Sequence, residues 1–375
     1  MGFPLNEAAT ASRLRLVLVS QKKHFLFTAR EVQLISRPLD CTFTRTQNWL
    51  RNVMRIRSVT AIVLVSSSRA RFVEWLSYSW CSLKGTRLIL VPFGSECDDI
   101  RMKAPKEAEI CHPTEDTSLE ANRNTALAYL ASLEHPEFVA FLDDDTFTDQ
   151  GWLNAMLDAA TANPTTAAFA SKVRSFCTGT IQSCGHILEK AAPHDLGLKD
   201  GAIGTPMCPC GNCAFVRWSA IQRIREVDSD CWDPRFQQWQ TCFDFGLKLV
   251  LTGSTTDLVH EATAQHQGYM TWDEKEKEKR KNTAPIRQLR SRFLLYRKFL
   301  PENLVEQVRA QMKEREERWQ KTGYPGFKNL LKGSEISSVM ESAWGDADTL
   351  WHCKPDKTWK NLMTKHPNAS AIWGF

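Results

Sequence analysis

Between residues 58 and 270 the hydrophobic positions of this 375-residue chain follow two alternating rhythms. Continuous apolar, β-branched runs predict strands buried on both faces at Thr60–Ser67, Thr86–Phe93, Phe138–Leu142 and Ala167–Val173. Between them apolar residues return at helical spacing: Phe72, Trp75, Leu76 and Trp80 within Arg71–Ser82, and Ala126, Leu127, Leu130 and Leu133 within Leu119–Leu133. A third helix carries Trp152, Leu153, Met156 and Leu157, with Thr146 and Thr148 as its N-caps. Buried strands alternating with amphipathic helices predict an α/β fold around a mostly parallel central sheet.

Further along, a Gly-, Cys- and Pro-rich region at about 175–213 predicts loops and short antiparallel strands. Cys213–Arg217 reads as a strand, Ser219–Arg225 as the start of a helix, and Trp239–Thr252 as a helix ended by Gly253. Asp257–Ala262 predicts a strand closed by His266, and Ile286–Trp319 is largely helical around a break at Pro301. The run Asp273–Asn282 contains no apolar residue and predicts a mobile, solvated loop. Residues 1–57, with short strands at Leu14–Val19 and His24–Thr28 and a helix at Thr46–Ile56, form an expected N-terminal extension. The main domain then spans 58–270 and a basic, mainly helical region 271–375, whose last fifty residues give no clear pattern.

Composition adds constraints. Hydrophobic residues at 42% and charged residues at 24% are ordinary for a globular protein. No apolar run approaches the roughly 20 residues that cross a bilayer. Leu14–Val19 is broken by Arg15 and too short for a secretory signal, and Asn6 stands where a myristoylation signal needs Ser or Thr. A cytoplasmic location with reduced thiols is therefore expected for the 12 cysteines, and the sequon at Asn368 is chance. From Thr271 onward 21 Lys and Arg face 14 Asp and Glu, so the whole basic excess of a chain of net charge +5 lies there. That surplus reads as a solvated helical face, with peripheral contact to an anionic membrane as the alternative and no nucleic-acid partner expected.

The candidate chemistry lies where the Phe138 strand ends in Asp143, Asp144 and Asp145. Ligands of open α/β sheets bind outside the carboxyl ends of strands, and clustered carboxylates there suit magnesium or manganese together with diphosphate oxygens. A solvated acidic turn is the competing reading. Cys208, Cys210 and Cys213 place three thiols within six residues, near Cys177, Cys184 and His186. Their spacing is not a standard zinc pattern, so reduced thiols are expected, with a structural zinc or a disulfide as alternatives.

Taken together, several segments resemble the family-2 glycosyltransferases of the GT-A fold, close to the rhamnosyltransferase-like branch. They are Arg123-Asn124, FLDDDT with GWLNAML after it, Ile181–Leu188, Cys213–Ile224, Trp232–Phe236, Phe243–Gly253, His266 and Arg290–Pro301. The resemblance implies a Rossmann-like sheet flanked by helices and a nucleotide-sugar donor. It makes Asp143-x-Asp145 the DxD motif: Asp145 and Asp143 would hold a manganese or magnesium ion, with His266 as a third contact. Asp143, Asp144, Arg123 and Ser66 would line the donor. An acceptor hydroxyl, on a glycan or other carbohydrate lying near Trp232 and Trp239, would attack the anomeric carbon and invert it, a carboxylate taking the proton.

The sequence departs from that family at two places. The acidic pair that supplies the base falls on Thr241 and Cys242, and an ordinary thiol of pKa near 8.5 does not replace a carboxylate. Asp244, or else Asp233, is left as candidate base, unless the base comes from elsewhere or catalysis is lost. Pro92 stands where an aspartate often binds the nucleobase, with Asp98 and Asp99 nearby. The rival readings are a non-catalytic nucleotide-sugar-binding protein and, more remotely, a nucleotidyltransferase, for which Ser66–Arg71 lacks the Gly-rich phosphate loop.

Overall fold

The computed structural model describes residues 19–20, 23–24, 58–66, 82–93, 97–112, 114–115, 118–133, 135–197, 204–268, 274–325, 331 and 333–375. The chain divides into two units, Met1–Ile56 and Arg57–Phe375. The first holds a described antiparallel pair, β1 (Val19–Ser20) and β2 (Lys23–His24). The expected strand at Leu14–Val19 is described only at Val19, and that at His24–Thr28 only at His24. The helix at Thr46–Ile56, and all of Arg71–Ser82 but Ser82, lie outside the described residues.

In the second unit the strands are β3 (Val59–Ser66), β4 (Arg87–Phe93), β5 (Ala108–Ile110), β6 (Phe138–Asp143), β7 (Thr146–Thr148), β8 (Ala168–Ser175) and β9 (Ile181–Ser183). After them come β10 (His186–Glu189), β11 (Ala192–Asp195), β12 (Cys213–Arg217) and β13 (Thr256–His266). Nine of these form one sheet in the order β5-β4-β3-β6-β12-β8-β13-β7, with β9 against β8. The run β5-β4-β3-β6 is parallel throughout, as continuous apolar strands predict. Beyond β6 the sheet is mixed. β12 runs antiparallel to both β6 and β8, while β13 runs parallel to β8. The fold is α/β, and its parallel half places the carboxyl end of β6, with Asp143, near the centre of the sheet.

The helices are α1 (Cys97–Lys103), α2 (Leu119–Ala131), α3 (Trp152–Ala162), α4 (Trp218–Val227), α5 (Thr241–Leu251), α6 (Glu274–Phe299), α7 (Val305–Thr322), α8 (Glu335–Cys353), α9 (Thr358–Lys365) and α10 (Ala369–Ile372). Two expectations are corrected here. Thr146 and Thr148 do not cap α3, because pairing with β13 draws them into β7, and Gly151 at φ 90° starts the helix instead. Residues 274–282 are not a loop but the first turns of α6. Glu and Lys are strong helix formers, and a charged run needs no apolar face to continue a helix that packs further on. The last fifty residues are largely helical, with Ile336, Met340, Ala343 and Ala347 buried at helical spacing on α8. Trp359 and Trp373 are fully buried, in one apolar core with β3, β6 and α5. Among the described residues no helix is long and apolar enough to cross a membrane.

The hairpin β10–β11 stands apart from the large sheet. Its two-residue turn, Lys190-Ala191, has φ of 46° and 58°, the left-handed region that non-glycine residues avoid. The C-terminal region grips this turn. Ala191 N–H donates to Trp373 O (2.8 Å), Tyr296 Oη–H to Ala191 O (2.7 Å) and Arg315 Nη2 to Lys190 O (2.7 Å).

Candidate functional site

Register builds the first part of the site. β6 delivers Asp143 to its end, and two residues later the chain turns into β7, whose first residue Thr146 pairs with His266, the last of β13. Gln267 N–H closes the corner on Asp145 O (2.9 Å). Residues more than a hundred positions apart thus become neighbours: ligand atoms of Asp143, Asp145 and His266 lie within 4.8 Å of one another. His266 Nδ1 lies 2.9 Å from Gln182 Oε1, and Nε2 lies 3.3 Å from Asp145 Oδ1. A ring that donates from Nδ1 keeps its lone pair on Nε2, on the carboxylate side. Two carboxylates and one imidazole at this spacing fit a divalent cation of the manganese or magnesium kind, the imidazole favouring the transition metal.

Asp144 turns the other way. It is buried, and its Oδ2 accepts the backbone N–H of Ser66 (3.0 Å), pinning the end of β3 to that of β6. Arg123, on α2, is buried and donates from Nη2 both to Asp143 Oδ1 (3.0 Å) and to Gly211 O (3.0 Å), with its guanidinium over the Trp232 ring at 4.6 Å. The structure therefore brings Arg123, Asp143, Asp145 and His266 together and uses Ser66 and Asp144 as a brace beneath them.

Asp244 and Asp233, the candidate bases, lie in a network of ion pairs. Asp244 is fully buried, with Oδ1 on Lys298 Nζ (2.6 Å) and Oδ2 accepting Asp233 N–H (3.2 Å) beside Lys248 Nζ (3.4 Å). Asp233 accepts from Lys298 Nζ (2.8 Å) and is paired with Arg235 (2.5 Å). Burial would raise the Asp233 carboxyl, but Lys298 and Arg235 override it and hold it far below the usual carboxylate range. Lys248 is shared with Asp228 (3.1 Å). Both carboxylates belong to one ion-pair network, with their oxygens already engaged.

Among the described residues Cys208, Cys210 and Cys213 do not form a metal-spaced group. Cys213 Sγ lies 3.2 Å from Ser171 Oγ, and burial pushes its thiol up to about 12. Cys208 packs against Gly246 of α5. Cys210 sits beside Cys242, whose influence together with burial raises the Cys210 thiol well above its usual range. Among the described residues the metal-spaced group of acidic and thiol or imidazole side chains is the Asp143, Asp145, His266 trio.

Sequence reasoning missed a second cluster, beside Arg123. Cys242, in the first turn of α5, is half-buried and accepts the Gly211 N–H at 3.2 Å. His186 and Asp195 face each other across the β10–β11 hairpin in direct register, Nδ1 to Oδ1 at 2.5 Å. Burial works against a charged His186 ring, yet Asp195 and Cys242 raise it to about 10. Glu120, fully buried on α2, accepts Gln238 N–H with Oε1 (2.7 Å), while Oε2 has no partner, and burial pushes its carboxyl up to about 7. The segment leading into α5 is strained: Gln237, Gln238 and Gln240 all have positive φ, at 49°, 79° and 62°. The His186–Asp195 register was invisible without the hairpin, although the segment Ile181–Leu188 carries part of the family resemblance.

Comparison with known proteins adds the following. The family model for glycosyl transferase family 2 matches residues 89–224. Pre-mycofactocin glycosyltransferases from two Mycobacterium tuberculosis strains, CDC 1551 / Oshkosh and ATCC 25618 / H37Rv, are each 29% identical over 181 residues, 46% of this chain and 35% of theirs. The chain thus spans about a third of the length of these curated relatives. Among solved structures, GalNAc-T7 with UDP, GalNAc and Mn2+ aligns at TM-score 0.47 and 11% identity over 84% of this chain and 57% of that one. The mannosyltransferase PcManGT from Pyrobaculum calidifontis, with GDP-Man and Mn2+, aligns at 0.42 and 14% identity over 88% and 95%. Strand order, rather than either superposition, carries the description of the fold.

Proposed function

We propose that this protein is a metal-dependent, inverting glycosyltransferase of family 2 and GT-A type, which moves a hexosyl or deoxyhexosyl group from a nucleotide sugar to an acceptor hydroxyl. The observation that carries it is the convergence of Asp143, Asp145 and His266 at the carboxyl end of the central strand β6, inside or beside a segment matching the family-2 model. A divalent cation held by these three side chains would offset the charge of the departing diphosphate. The chain's own contribution is orientation. Arg123 fixes Asp143 from one side, and Gln182 fixes the His266 ring. The Ser66–Asp144 bond keeps the ends of β3 and β6 together under the donor. Nucleotide-sugar binding without transfer is the second reading, favoured by the engagement of Asp244 and Asp233 in ion pairs.

The test is a panel of nucleotide sugars with manganese or magnesium, read by thermal shift and by release of nucleoside diphosphate. At least one donor should stabilise the protein only when metal is present, and Asp145→Ala should lose that response while remaining folded. Absence of a metal-dependent shift with every donor, or an unchanged shift in Asp145→Ala, refutes the reading.

A further inference from the structure

The proposed reaction lacks a base, because the two surviving carboxylates near α5 are locked to lysines. Cys242 stands where the sequence departs from its resemblance, on the same peptide link as the metal carboxylates. Gly211 accepts Arg123 with its carbonyl while its N–H donates to Cys242 Sγ, and Arg123 in turn holds Asp143. A Cβ added to Gly211 would lie 2.9 Å from Cys242 Sγ and 3.4 Å from Arg123 Nη1, so the thiol and the guanidinium crowd one small residue. Asn212 O, next along, accepts Asp143 N–H at 3.1 Å. One short loop therefore ties Cys242 to the carboxylate end of β6.

We propose that Cys242 is the catalytic base of this protein, its sulfur accepting the proton of the acceptor hydroxyl at the place where the Gly211 amide and Arg123 tie it to the Asp143 end of β6. The inference rests on the glycosyl-transfer reading above. The step balances: the acceptor O–H proton passes to Sγ, the acceptor oxygen bonds to the anomeric carbon, and the bond to the diphosphate breaks with its electrons leaving on the diphosphate. The Cys242 thiol then releases the proton to water.

The surroundings of the sulfur are unlike those of an ordinary thiol. A hydrogen bond from Cys210 is the largest effect and lowers Cys242; burial opposes it, and His186 and Arg123 add to the lowering, so the thiol falls well below its usual range. The groups facing it come from three places: Arg123 and Glu120 on α2, Cys208 and Cys210 on the loop, and His186 on β10, itself paired with Asp195 of β11. The imidazole lies beside the sulfur and lowers it by its closeness first and by its charge second. That lowering answers the objection that an ordinary thiol of pKa near 8.5 makes a poor base, since a thiolate can take a proton as a carboxylate does. The buried, unpartnered Oε2 of Glu120 and Oγ1 of Thr241 beside Cys242 are further polar atoms that an incoming hydroxyl-bearing acceptor would satisfy.

Three variants and one chemical probe test this on the full chain. With a donor that gives the metal-dependent shift, Cys242→Ala should keep the shift but lose nucleoside-diphosphate release by about 10²–10⁴-fold. Cys242→Asp should recover turnover to at least roughly tenfold above Cys242→Ala, because it supplies a carboxylate at the same place. His186→Gln should move the acid limb of the pH–rate profile upward. Alkylation of wild-type Cys242 by iodoacetamide, followed by peptide mass spectrometry, should be nearly as fast at pH 6 as at pH 8. Full turnover in Cys242→Ala, an Asp variant as inactive as the Ala variant with donor binding intact, or a sugar adduct on Cys242 in denatured protein would each overturn the proposal. An alkylation rate that climbs tenfold per pH unit up to about 8.5 would do the same. Should wild type show no donor shift at all, the parent reading has failed and takes this one with it, a result visible before any variant is made.

Discussion

Asp244→Asn separates an anchoring carboxylate from a catalytic one. In the folded protein three anions, Asp228, Asp233 and Asp244, interlock with three cations, Lys248, Lys298 and Arg235. Neutralising Asp244, which is fully buried between two fully or nearly fully buried lysines, leaves one uncompensated positive charge inside. Breaking a buried pair from one side costs about 3–5 kcal/mol. At about 2–4 °C per kcal/mol for a domain of 150–250 residues, and somewhat less for this larger unit, the melting temperature should fall by roughly 6–12 °C. Differential scanning fluorimetry at pH 7.5 reads this directly, and turnover should be normalised to folded protein. The pH dependence follows from Asp233, whose carboxyl is held far below its ordinary value. A depressed carboxyl contributes stability that is present above its unfolded pKa, about 3.9, and is lost as pH falls toward the folded value. The wild-type protein should thus keep this contribution in full from pH 8 to about 5, and its melting temperature should lose it only in stronger acid. A melting temperature within about 2 °C of wild type, with turnover abolished, would refute the anchoring role and return Asp244 to the chemistry.

Two further outcomes follow from packing and from charge. Gly246→Ala puts a methyl 2.6 Å from Cys208 Sγ and closer still to its Cβ, so the variant should lose about 1–3 kcal/mol in urea unfolding. Because His186 is raised to about 10 by Asp195 and Cys242, its share of stability is fully present below about pH 6.5 and lost as pH climbs through the folded value. The wild-type melting temperature should decline across that alkaline window, and Asp195→Asn should flatten the decline.

Legibility in the sequence tracks how local each interaction is. Asp143 and Asp145 were readable because a buried apolar run and its terminal carboxylates are contiguous, and strand burial forces the run to end at a crevice. His266 was suggested by resemblance; what places it is the β13–β7 pairing, a contact that no periodicity encodes. Lys298 is 54 positions from Asp244, so a surviving aspartate looked available when it was already engaged. Thr146 and Thr148 have good cap chemistry, and tertiary pairing overruled it. The charged start of α6 was misread because solvation was taken to mean irregular backbone, although Glu and Lys favour a helix. The buried stripe of α8 was there to be read, at Ile336, Met340, Ala343 and Ala347.

The clasp on the Lys190-Ala191 turn makes distant parts of the chain mutually dependent. Tyr296, Arg315 and Trp373 hold that left-handed turn from outside, and the turn sets the register that faces His186 with Asp195. Trimming residues 369–375, far from any carboxylate of β6, would loosen the hairpin and let the imidazole swing away from Cys242. A tag or fusion placed on the terminal helices should therefore disturb the hairpin while leaving the corner of Asp143, Asp145 and His266 in place.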